Sequence, residues 1–360
     1  MWRTIKSSLD NFDSVRSFRA AHLPAFALLC VVALNFLACP SKSETKNSQT
    51  NGTMNANVGA TPMSSSAPNG AKLDGARAFE YVRRQVEFGA RPAGSKELAR
   101  TREFIVNELR AANLKVSLDE FTAQTPIGER KMANITAELA GESADFIIIS
   151  SHYDTKILKN QQFVGANDGA SSTAVVMELA RALAASGKKP RYTYRFVLFD
   201  GEEAFCEGWD ECRRPAQGNK PELIDNTYGS RRYVAQLIAN AELKAARAMI
   251  LLDLVGYNNL VISRETISTP WLTDTIWTTA RELGHSKVFV DAQQTVEDDH
   301  VAFVQAGIDA VDIIQLDSYP HWHTAQDTLD KISARSLQTV GDVVLASLPR
   351  IEERLLSKRK

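Results

Sequence analysis

The chain has 360 residues, of which 44% are hydrophobic and 24% charged, and its formal net charge is −1. These values exclude a disordered or collagen-like chain and leave enough apolar material for a large core. They show no basic excess that would argue for nucleic acid as a partner, and four cysteines are too few for a disulfide scaffold at this length.

Residues 1–39 differ from the rest. Arg3, Lys6, Arg16 and Arg19 precede an apolar run over 23–38, which is shorter than the roughly 20 residues a membrane span needs and suits a secretory signal. The run ends at Ala38-Cys39 and resembles a bacterial lipoprotein signal, which implies an exported protein, periplasmic or in the cell envelope, lipid-anchored at Cys39. A plain cleaved signal and an uncleaved anchor are the alternatives, and all three export the body. Residues 40–73 are rich in Ser, Asn, Thr and Gly and nearly free of large apolar side chains. They read as a disordered tether, because they bury too little surface to offset their ordering entropy.

Residues 74–360 read as a single catalytic α/β domain. Helical spacing is expected over 78–88 and 95–112, with a Gly- and Pro-containing loop between them, and strands over 115–122 and 133–139 flank a turn at 125–128. The continuous apolar run FIIIS at 146–150 predicts a strand buried on both faces. A strong helix follows at 170–185, stopped by Gly187. Further strands are expected at 194–199, 248–254, 260–263 and 311–315, with helices at 271–283 and 334–356. This alternation predicts an α/β three-layer sandwich around a mixed, mostly parallel sheet. Neither a G-x-G-x-x-G nor a P-loop pattern follows any strand.

Ligands of open α/β sheets bind outside the carboxyl ends of the strands, and here those ends are polar. Ser151-His152-Tyr153-Asp154 follows the first buried run, Asp200-Gly201-Glu202-Glu203 the second, and Asp253 ends the third. Tyr319 to Thr324, containing Trp322 and His323, follows the last, while Gly165-Ala166-Asn167-Asp168-Gly169 precedes the helix at 170. Burying such a set without a cation is costly, so a bound divalent metal is expected. Taken singly, each residue also has a plainer role: His152 as a satisfied core histidine, Asp168 as a helix N-cap, Asp253 as a loop-facing carboxylate, Glu202 and Glu203 as a solvated pair.

The set His152-x-Asp154, Gly165-Ala-x-Asp168, Asp200-Gly-Glu202-Glu203, Asp253 and His323 resembles the M28 zinc aminopeptidase superfamily. Phe121 to Gly128, His152 to Lys156, Phe163 to Ala166, Tyr228 to Arg231, Glu297-Asp298-Asp299-His300 and the Trp322-His323 pair are similar to its glutaminyl-peptide cyclotransferases. That resemblance implies one Zn²⁺ held by Asp168, Glu203 and His323, with Glu202 as general acid/base and Asp253 and Asp298 as a carboxylate relay beside it. Trp322 and Trp209 would wall the substrate pocket. The implied reaction is cyclisation of the N-terminal glutamine of a peptide or protein with release of ammonia, by a monomer. The alternative is a two-metal aminopeptidase, for which His152 and Asp253 match second-metal ligands. Asp312 stands where animal cyclases carry a histidine. Cys206 and Cys212, in the Trp209 loop, are either a small disulfide or two free thiols.

Overall fold

The structure is a computed structural model that describes residues 70–218 and 222–357. The leader, Cys39 and the tether up to residue 69 lie outside the described residues. In chain order the elements are α1 (Gly75–Glu87), α2 (Lys96–Ala111), β1 (Lys115–Thr125), β2 (Gly128–Leu139), β3 (Ser143–His152), α3 (Ala170–Ala185) and β4 (Tyr192–Phe199). They continue with α4 (Tyr228–Ala239), β5 (Ala246–Asp253), β6 (Ile262–Glu265), α5 (Pro270–Glu282), β7 (Phe289–Gln294), α6 (His300–Gln305), β8 (Ala310–Ile314) and α7 (Ala334–Ser357).

Six strands make one sheet in the order β1-β2-β4-β3-β5-β8. The four strands β4, β3, β5 and β8 run parallel, and the β1–β2 hairpin adds to β4 antiparallel. The expected mixed, mostly parallel sheet is therefore present. Period-2 alternation of strand side chains explains why these strands read as unbroken apolar runs: each feeds two cores. Ile147 and Ile149 of β3, Phe196 and Leu198 of β4 and Ala248, Ile250 and Leu252 of β5 pack with α1, α3 and α7 on one face. Phe146, Ile148, Val197, Phe199, Met249 and Leu251 point the other way, onto Tyr233, Val234 and Leu237 of α4 and Phe303 of α6. Helices on both faces complete the three layers.

Several boundaries differ from the expectation. The first hairpin is longer, because Thr125 pairs with Gly128 across a two-residue turn and the Thr125 hydroxyl donates to the Gly128 carbonyl (2.6 Å). Gly128 sits at φ +100°, a conformation open to glycine. The short strand expected at 260–263 joins β7 in a separate two-stranded sheet rather than the central one. Helices α4 and α6 and strand β7 were not expected. The tether ends earlier than expected: Ala71 and Leu73 are buried in the core, and Leu73 fills the space that Gly341 of α7 leaves by lacking a side chain.

Candidate functional site

The carboxyl ends of β3, β4, β5 and β8 lie at the same end of the sheet because the four strands are parallel. Two of the strand-end carboxylates brace the backbone there instead of facing an ion. Asp154, fully buried, accepts the amides of Glu202 (3.1 Å) and Glu203 (3.4 Å). Asp200 accepts the Ala133 amide (2.8 Å) and the Tyr153 hydroxyl (3.2 Å). Burial, reinforced by the charge of Asp154, pushes the Asp200 carboxyl up to about 8. The grouping of Asp154 and Asp200 with the metal-facing set is thus corrected. Asp154 is satisfied by two backbone amides. Asp200 binds the Ala133 amide and the Tyr153 hydroxyl through Oδ2, its Oδ1 alone lacking a partner, and belongs to neither metal-capable group at this end of the sheet.

Asp168, Glu203 and His323 converge, with one ligand-capable atom of each within 4.8 Å of the others. His323 Nε2 lies 3.2 Å from Glu203 Oε2 and 3.5 Å from Asp168 Oδ2. The N-cap role considered for Asp168 is not taken up: Gly169, at φ +84°, occupies the cap position and α3 has no side-chain cap bond. Asp168 Oδ2 and both carboxylate oxygens of Glu203 are buried without a hydrogen-bond partner. Leaving each unsatisfied costs about 1–3 kcal/mol, more when charged, so this donor set fits a divalent metal with three protein ligands and an open position. Burial pushes Glu203 up, but the adjacent His323 outweighs it and holds the carboxyl below its ordinary range.

A second group shares Asp168. His152, Asp168 and Asp253 also have ligand-capable atoms within 4.8 Å, with His152 Nε2 at 3.2 Å from a carboxylate oxygen of each. His152 is only 1% exposed and its Nδ1 has no hydrogen-bond partner, so it is not a satisfied core histidine. Cys206, Cys212 and Asp225 form a third cluster, but the two cysteines are joined as a disulfide and offer no thiolate.

A cavity of about 290 Å³ opens onto the first group, lined by Glu202, Trp209, Asp253, Asp298 and Trp322 together with Asp168, Glu203 and His323. The Trp322 indole stacks on the His323 ring (centroids 4.1 Å apart, 23° between planes) and is 42% exposed. The loop bearing Trp209 is tied down by the disulfide, by Asn226 donating to the Trp209 carbonyl (3.3 Å), and by the buried Lys156 ammonium donating to the carbonyls of Ala204 (2.7 Å) and Cys206 (2.9 Å). Burial raises Glu202 well above the usual carboxylate range; the charges of Glu203, Asp298 and Asp299 add to this against the pull of His152. Burial and the charge of Asp253 place Asp298 at about 7. Asp312 is fully buried, does not line the cavity, and lies 3.7 Å from His300 Nδ1.

Residues not singled out for a role from the sequence support this site. Arg91 and Asp327 are fully buried and each hydrogen-bonds to the Asp168 loop, and Glu265 sits 3.1 Å from the Nε2 of buried His300. Lone charged residues in loops carry no periodic signal, which is why they were passed over. Burial would raise Glu265, but His300 and the amides of Ile267 and Ser268 hold it at about 2. Its stabilisation is therefore present above pH about 4.5 and lost as pH falls toward 2. Glu265→Gln is expected to lower stability at pH 7 by on the order of 2 kcal/mol, with the gap to the parent narrowed at pH 3 and closing only as pH falls through about 2. Urea unfolding at the two pH values measures this, and a gap that stays constant contradicts it.

The model for peptidase family M28 matches residues 134–348. The chain is 28% identical to the glutaminyl-peptide cyclotransferase-like protein of Bos taurus, a match covering 66% of this chain and 66% of that protein's length. Its fold is similar to that of an Acidobacteriales bacterium glutaminyl cyclase (TM-score 0.70, 34% identity, 79% of this chain and 96% of that one). It is similar also to that of a Porphyromonas gingivalis glutaminyl cyclase (TM-score 0.69, 29% identity, 77% and 98%). Matched through every strand of the parallel core and through the segments that form the cavity, the chain belongs to peptidase family M28 and, within it, to the glutaminyl cyclase family.

Proposed function

We propose that this chain closes the N-terminal glutamine of peptides and proteins into pyroglutamate, releasing ammonia, with one Zn²⁺ held by Asp168, Glu203 and His323. What supports it most is the meeting of that triad, buried Glu202 and Asp298, and the Trp322 indole in one cavity, on a chain similar to glutaminyl cyclases. The exported location, the lipid anchor at Cys39 and the monomeric state belong to the same proposal and rest on the leader pattern and the resemblance.

Zn²⁺ bound there would act as a Lewis acid toward the γ-carbonyl oxygen of the glutamine. The reaction is intramolecular, so the cavity's task is to hold the side chain folded back onto the α-amine. Glu202, raised by burial, takes a proton from the neutral α-amine as it attacks and returns it to the γ-amide nitrogen. The lactam C–N bond forms, the bond to the γ-nitrogen breaks, and ammonia leaves with no net proton consumed. Asp298, facing the same cavity, receives an N–H of the departing amide, and Asp253 keeps His152 and Glu202 in register. Trp322 and Trp209 exclude water, which would otherwise hydrolyse the amide to glutamate.

Mass spectrometry of a Gln-initiated peptide, with and without chelator, tests the proposal: loss of one ammonia in the zinc-loaded reaction supports it. The complete His152–Asp168–Asp253 group favours a second reading, a two-metal aminopeptidase in which Glu202 activates water. Two zinc ions per chain and release of a free amino acid would establish that reading and overturn the first. Trp322→Ala is expected to lower kcat/KM about tenfold through KM, the equivalent of an aromatic contact of about 1–1.5 kcal/mol, while bound zinc stays unchanged. An unaltered KM would remove Trp322 from the substrate pocket.

A further inference from the structure

Asp327 lies four residues beyond His323 in the same loop, is fully buried, and does not face the cavity. Its carboxylate is fully engaged instead. Oδ1 accepts the Asn167 amide (2.8 Å) and the Tyr319 hydroxyl (2.6 Å), and Oδ2 accepts the Asp168 amide (3.0 Å). Its backbone carbonyl takes the Ala166 amide (3.3 Å) as well. One side chain thus fastens the loop that carries Asp168 to the loop that carries His323. Asn167 extends the link: its side-chain oxygen accepts the Gly256 amide (2.7 Å), three residues past Asp253.

Both loops need such an anchor. His323 sits at φ +51°, a left-handed conformation that costs a non-glycine residue about 1–2 kcal/mol and so persists only if its surroundings impose it. Gly165, at φ +49°, opens a turn so tight that an added Cβ would meet the Asp168 carbonyl oxygen at 2.4 Å. The Asp168 and His323 side chains come from segments about 155 residues apart in the chain. The hydrogen bonds of Asp327 tie together the two loops that carry them.

We propose that Asp327 is the positioning residue of the metal triad, coupling the Asp168 and His323 loops so that both ligands stay at binding distance. The proposal rests on the reading of Asp168, Glu203 and His323 as zinc ligands. Its consequence is kinetic retention of the metal: with the coupling gone, either ligand swings away independently and zinc escapes sooner. Removing a group that hydrogen-bonds to a metal ligand typically changes metal affinity by about 10–100-fold. Asp327→Asn is the sharp probe, because its amide group would turn a second N–H toward one of three donors that need an acceptor.

Zinc-loaded parent, Asp327→Asn, Tyr319→Phe and Glu203→Ala are compared by chelator-driven zinc release and by melting with and without added zinc. Asp327→Asn should release zinc at least about tenfold faster, and zinc should raise its Tm less than it raises that of the parent. Should that variant fail to fold, Tyr319→Phe, which removes one of three bonds to the Asp327 carboxylate, should still speed release about threefold, less than the roughly 10–100-fold of losing such a partner outright. If Asp327→Asn melts lower both with and without zinc but releases it at the parent's rate, Asp327 is only structural and the proposal falls. An unchanged release rate in Tyr319→Phe counts against it in the same way. If the parent itself holds zinc no better than Glu203→Ala, the ligand reading fails first and takes this role with it.

Discussion

Glu202→Gln is expected to leave zinc bound and to lower turnover on a Gln-initiated peptide by about 10²–10⁴-fold, whereas Glu203→Ala is expected to lose the metal. The two residues are adjacent in sequence but face different partners. Glu203 has both oxygens buried and unpartnered, within 3.2 Å of His323 Nε2, as expected of a ligand. Glu202 is absent from both metal-capable groups at this end of the sheet but lines the cavity, 3.7 Å from His152 Nδ1. Burial and neighbouring anions hold its carboxyl well above the ordinary range, which suits a group that must both take and give a proton near neutral pH. Glutamine keeps the shape and loses that capacity. Metal analysis beside steady-state kinetics separates the roles, and release of zinc from Glu202→Gln as readily as from Glu203→Ala would reverse the assignment.

Arg91→Leu is expected to cost about 3–5 kcal/mol of stability. Arg91 is fully buried, and its guanidinium donates to three backbone carbonyls: Tyr153 (3.2 Å), Val164, and Gly165 (2.9 Å). Burial lowers it to about 10 against the opposing charges of Asp327, Asp168 and Asp154, so it stays protonated at neutral pH. Leucine fills part of the volume but strands the carbonyls and leaves the carboxylates without a counter-charge. Lysine should recover only part of the loss, because one ammonium does not span a fork of three acceptors. Urea unfolding of the zinc-free protein gives the number, and a loss below about 1 kcal/mol would mean that water or a neighbour replaces the guanidinium.

How much was legible differs by residue. The buried strands at 146–150 and 194–199 were visible because a strand covered on both faces is apolar at every position. Helix α3 matched its expected bounds because its composition and its glycine stop agree. By contrast α6 spans six residues and β7 has an exposed, polar middle, so neither carries enough periods to stand out. Helix α4 was not read as a helix, Tyr228 to Arg231 having been named only for its resemblance, and its 12 residues bury one narrow face. The residues at the ends of the strands were found because a polar group directly after a buried strand is conspicuous. Asp327 and Arg91 were not, being single charges in loops.

The order of strands and helices, the end of the sheet where ligands gather and the residue types collected there follow from local pattern, because side-chain periodicity records burial along one segment at a time. Which carboxylates are open to a metal and which brace a turn emerged only in three dimensions. Asp154, Asp168, Asp200 and Asp327 are the same residue type in similar loops, yet Asp154 accepts amides from a turn 48 residues away and Asp168 keeps a bare oxygen. Hydrogen-bond satisfaction is a relation between distant segments, and no single stretch of chain carries it.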